Sequence, residues 1–60
     1  MRYKAGDVVI YKDTVFTILN AYAVFYDIEH NGTGIKEIFV DARVVDNYYT
    51  KITKLHRILA

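Results

Sequence analysis

The chain has 60 residues, 53% of them hydrophobic, and no Cys. This limits it to one domain, residues 1–60, with a small core, and excludes disorder, a disulfide framework and a thiolate metal site. Its formal net charge is +1, but residues 1–46 carry five Lys/Arg against seven Asp/Glu, whereas residues 47–60 carry Lys51, Lys54 and Arg57 and no acid. That balance argues against a dedicated duplex-DNA coat, which takes most of its affinity from phosphate neutralisation.

Other features narrow the setting. No apolar run approaches the roughly 18 residues needed to span a bilayer, and the opening MRYKAGD has no apolar secretory core. With no Cys to oxidise, a soluble, cytoplasmic protein is the expectation. The hydrophobic content exceeds what so small a domain hides, so some apolar surface is expected to stay exposed, and contiguous exposed patches mark interfaces.

In chain order, the dominant period is two and the prominent residues are Val, Ile, Tyr, Phe and Thr, which suit a pleated, half-buried surface. Residues 7–11, DVVIY, place Val8 and Ile10 on one face and Val9 and Tyr11 on the other. Lys12-Asp13-Thr14 makes a tight connection into residues 15–22, VFTILNAY. Both faces of this second strand are apolar, with Phe16, Ile18 and Tyr22 on one side, so it is expected to be central and strongly bent. Residues 24–30, VFYDIEH, point Val24, Tyr26 and Ile28 inward and Phe25, Asp27 and Glu29 outward, which leaves Phe25 as the misfit. Residues 35–40, IKEIFV, form a fourth strand with a less defined register.

Between the third and fourth strands stands Asn31-Gly32-Thr33-Gly34. Asn-Gly between alternating runs is the signature of a type I′ hairpin, because both central residues need positive φ; the second glycine points to a longer loop or a bulge. A phosphate loop is not expected, since no Lys-Ser/Thr follows and the chain continues into a strand. The Asn31 sequon is not expected to be used without a secretory signal. After Val40, Asp41 is suited to cap a single helical turn. The end of the chain is read as a last strand over about residues 49–55, running into a short helical end.

Five short strands with a helical turn before the last resemble an SH3-like barrel. Residues 3–11, YKAGDVVIY, resemble the family's first strand, Phe16-Thr17-Ile18-Leu19 its second, and residues 38–45 the segment that closes such barrels. KOW, Tudor-like and bacterial SH3-like modules share these motifs, and the opening is similar to that of small Gram-positive phage and mobile-element proteins. Lys12-Asp13 departs from the pattern, where a Gly is common. The resemblance implies a small all-β, five-stranded barrel and says less about activity.

Catalytic chemistry has little to work with. There are two His but no Cys, Ser or Trp, so Ser-His-Asp and Cys-His arrangements cannot be assembled within one chain. Asp27 and Glu29, next to His30, are read as solvated carboxylates rather than a metal or acid/base pair. No enzyme activity, cofactor or metal is expected. Six Tyr and three Phe are the richer signal, since aromatic side chains present large, rigid contact area at low entropic cost.

Tyr3, Tyr11, Phe25, Tyr48 and Tyr49 are the candidates for binding a partner, while Phe16, Tyr26 and Phe39 read as core. The function expected is a small protein-binding module that docks on an unidentified protein, or on a second copy of itself, through aromatic and apolar surface. The alternative is a nucleic-acid-binding barrel, in which Arg2, Lys4, Lys51, Lys54 and Arg57 form a basic edge where the chain ends meet and Tyr48 or Tyr49 stacks on a base.

Overall fold

In a computed structural model of the chain, residues 2–52 are described. The elements are β1 (Val8–Tyr11), β2 (Thr14–Ala21), β3 (Phe25–His30), β4 (Lys36–Asp41), α1 (Ala42–Tyr48) and β5 (Thr50–Lys51). The strands form one antiparallel sheet in the order β4-β3-β2-β1-β5. The all-β expectation holds, and β2 is the central strand. Closure does not: the sheet is open, with β4 and β5 as its edges. Within the described residues β5 is only two residues long, too short to reach round the sheet, and Ile52 adds a single bond from its N–H to the Val8 carbonyl (2.8 Å). The expected strand and helical end beyond residue 52 lie outside the described residues.

One face of the sheet makes the core. Val9, Phe16, Ile18, Tyr26 and Ile28 point into it at period two, and Ala42 and Val45 close it from α1. Asp41 caps the helix as its sequence position suggests, its carboxylate accepting from the Arg43 N–H at 2.8 Å. The helix runs seven residues rather than the expected single turn.

Two register shifts bend the sheet. In β2, Leu19 is an extra residue between the pairs Ile18↔Ile28 and Asn20↔Asp27. In β4, Ile38 and Phe39 together oppose the single residue Asp27, between Tyr26↔Val40 and Ile28↔Glu37. Each bulge reverses the face of the residues beyond it. As a result Tyr22, which strict alternation places inward, and Phe39, which reads as core, are exposed, and so is Ile38; Val24 is exposed in the loop between β2 and β3.

The turns also exchange roles. Lys12 and Asp13 have φ of 47° and 63°, and Tyr11 pairs with Thr14 across them, so the type I′ geometry falls on the pair with no glycine. Asn31-Gly32 instead opens a four-residue loop. Gly34, at φ 75°, is its left-handed residue, with the Gly34 N–H on the His30 carbonyl and the His30 N–H on the Ile35 carbonyl. Asn31 is drawn to β2, its N–H donating to the Val15 carbonyl and its side chain accepting from the Thr17 hydroxyl. Left-handed conformations strain non-glycine residues. Asp13→Gly is therefore expected to stabilise the protein by about 0.5–1 kcal/mol, seen as a higher urea midpoint. Lys12 is left in place because its ammonium lies 5.4 Å from the centre of the Tyr11 ring.

Candidate functional site

The bulges gather three rings on the outer surface. Phe39 stands 61% exposed, with the Phe25 ring edge-on at 5.7 Å and the Tyr22 ring tilted at 6.3 Å. Val24 and Ile38, the neighbours of Phe25 and Phe39 in the chain, are exposed as well. Next to Val24 and Phe25 a shallow groove runs down to Ala42, Arg43 and Asp46 of α1. Its far wall is charged, Arg43 being paired with Asp41 at 3.1 Å, and that guanidinium holds the Asp41 carboxyl below the usual aspartate range.

Beneath the rings lies Asp27, only 7% exposed and the one buried charged residue among those described. One carboxylate oxygen accepts from the Phe39 N–H at 3.0 Å; the other accepts from the Tyr22 hydroxyl at 2.9 Å and the Asn20 side-chain amide at 3.2 Å. Chiefly through the Phe39 N–H, and against the opposing effect of burial, these bonds hold the Asp27 carboxyl below the usual aspartate range. The same bond to Asp27 pushes the Tyr22 hydroxyl pKa up. Asp27 is thus on the outer face, as alternation predicts, but it is not solvated.

The sequence-derived binding residues separate into distinct places. Phe25 belongs to the ring cluster. Tyr48 is 65% exposed at the end of α1, in a second shallow groove with Asp41, Val44 and Asn47. Tyr3 is buried and cannot act as a surface anchor: its backbone N–H donates to the Tyr26 hydroxyl at 2.9 Å and its own hydroxyl to the Tyr49 carbonyl at 2.7 Å. Tyr11 and Tyr49 are half-buried and stacked on each other at 4.9 Å, with Phe16 against Tyr49 at 5.2 Å. These two rings serve packing as much as surface. Tyr22 and Phe39 were not among the candidates; the signal for them is the pair Asn20 and Asp27, strand-poor residues facing each other in the middle of a sheet.

The basic edge is only partly assembled. β5 does lie beside β1, but Lys51 is matched with Asp7 at 3.5 Å, and Arg2 is bonded to Asp46 through its backbone N–H (3.2 Å) and its guanidinium (2.9 Å, to the Asp46 carbonyl). Lys4 is exposed. Lys54 and Arg57 lie outside the described residues.

His30 sits edge-on to Phe16 at 4.5 Å and bonds Glu37 at 2.6 Å, at the hairpin end of β3. Among the described residues no group of His, Asp and Glu is placed to hold a metal ion, and no helix is long and apolar enough to cross a membrane.

Fold and surface together define a small, open, all-β protein carrying one exposed aromatic platform. Compared with protein-family models, with curated proteins and with solved structures, the chain matches none.

Proposed function

We propose that the protein is a non-enzymatic, SH3-like binding module that docks on a partner protein through the platform of Tyr22, Phe25 and Phe39. The observation that carries this is the contiguity of the three exposed rings, two of them in contact with Phe39. Rigid aromatic anchors flanked by apolar neighbours are the usual energetic centre of a protein interface. The SH3-like reading draws support from the strand order, with β5 beside β1 and a helix just before β5. The opening residues 3–11 support the further reading that such a module is carried by a phage or mobile element.

A nucleic-acid role is less well supported, because Arg2 and Lys51 each already face a carboxylate-bearing residue, and phosphate binding would have to compete with those contacts. The test is a selection of random displayed peptides on the protein. Enriched peptides are expected to be apolar and to bind with micromolar affinity. Phe39→Asn removes the ring yet suits left-handed backbone, so it is expected to weaken those peptides about 30-fold without loss of fold. No enrichment, together with salt-sensitive binding of labelled oligonucleotides, would favour the nucleic-acid reading instead.

A further inference from the structure

We infer that Asp27 is the positioning residue of the aromatic platform: its carboxylate ties the two bulged strands together over β3 and keeps Phe39 turned outward. The functional meaning of this rests on the docking reading, but its geometry does not. Asp27 stands beside both irregularities: it pairs with Asn20, next to the unpaired Leu19 in β2, and it is the residue opposite Ile38-Phe39 in β4. A bulge leaves ladder donors without partners, and the Asp27 carboxylate takes the Phe39 N–H at 3.0 Å in place of a backbone carbonyl.

Phe39 has a φ of 57°, a conformation that an aromatic residue adopts only when its surroundings over-determine it. The other carboxylate oxygen anchors the Tyr22 hydroxyl. Two of the three rings therefore hang on Asp27 directly, and Phe25 leans on Phe39. None of the ion pairs among the described residues includes Asp27. Its three donors are all neutral, which suits a group whose bonds set local geometry rather than a charge partner.

The experiment compares the free protein with Asp27→Asn. Asparagine keeps the size, but its one oxygen is uncharged and holds the Phe39 N–H more weakly than a carboxylate, and its amide sets a donor against the Tyr22 and Asn20 donors. Exchange of the Phe39 amide is expected to rise about tenfold relative to the Ile28 amide, with loss of the Tyr22–Phe39 and Phe25–Phe39 ring NOEs. Unchanged relative protection with the NOEs retained overturns the inference. Should Asp27→Asn fail to fold, Phe39→Gly in the same chain is expected to restore folding, because glycine adopts positive φ without a clamp; a double variant that stays unfolded also overturns it. Both readouts are taken without a partner, so an empty peptide selection counts against the docking reading alone and a negative result here counts against Asp27 alone.

Discussion

Ile28→Ala is expected to leave a large fraction of the protein unfolded at 25 °C. Ile28 is fully buried, faces Ile18 across β2 and β3, and belongs to a core that takes in eight side chains among the described residues. Truncating a buried Ile costs about 2–5 kcal/mol, combining lost burial with the cavity left behind. A chain of this length has a total stability of about 3–9 kcal/mol. The upper part of the first range therefore meets the lower part of the second.

The neighbours cannot close over the gap cheaply. Ile18 and Ile28 lie on hydrogen-bonded strands with bulges just beyond them, and Val45 is held by a helix docked at one end of the sheet. Urea denaturation followed by circular dichroism measures the loss. A shift worth less than about 1 kcal/mol would mean that the core collapses around the site and is softer than its burial implies.

Much of this core was legible in the sequence. Phe16, Ile18, Tyr26 and Ile28 stand at positions where alternation is intact, and a period of two reports burial wherever each residue of one strand meets one residue of the next; in the first strand alternation separates Val9 from Val8 and Ile10 without saying which face is inward. The same rule fails at Leu19 and at Ile38-Phe39, where two residues meet one. Alternation cannot see this, because a bulge is a property of a pair of strands and not of either sequence. Phe39 consequently reads as core, whereas Phe25, which alternation does turn outward, is its neighbour on one exposed surface.

Tyr3 failed for a different reason. It precedes the first strand and has no alternating partner, and what buries it is a pair of long-range hydrogen bonds to Tyr26 and Tyr49. The Asn31-Gly32 turn shows a third limit. Local preference favours positive φ there, but Asn31 is pulled into bonds with Val15 and Thr17, and the left-handed residue moves to Gly34.

The bonds around Tyr26 lead to the second large effect, a destabilisation of about 1–3 kcal/mol by Tyr26→Phe. The ring is fully buried, and its hydroxyl donates to the Asp46 carboxylate at 2.7 Å while accepting from the backbone N–H groups of Tyr3 (2.9 Å) and Arg2 (3.1 Å). This one oxygen joins β3, α1 and the segment before β1. Phenylalanine keeps the packing and removes the oxygen. Arg2 and Asp46 retain their direct bond at 3.2 Å, but the buried Tyr3 N–H is left without an acceptor, and an unmade buried bond costs more than a made one contributes.

The pH dependence of the difference gives the sign. Burial, and then the bond to Asp46, push the Tyr26 hydroxyl pKa above its ordinary value of 10.0. Its contribution is therefore fully present below that value and is lost as the pH rises through the higher folded one. The gap between wild type and Tyr26→Phe in urea midpoint should accordingly be constant at neutral pH and narrow above pH 10. A gap that is absent at pH 7 would show that the three elements are held together without this hydroxyl.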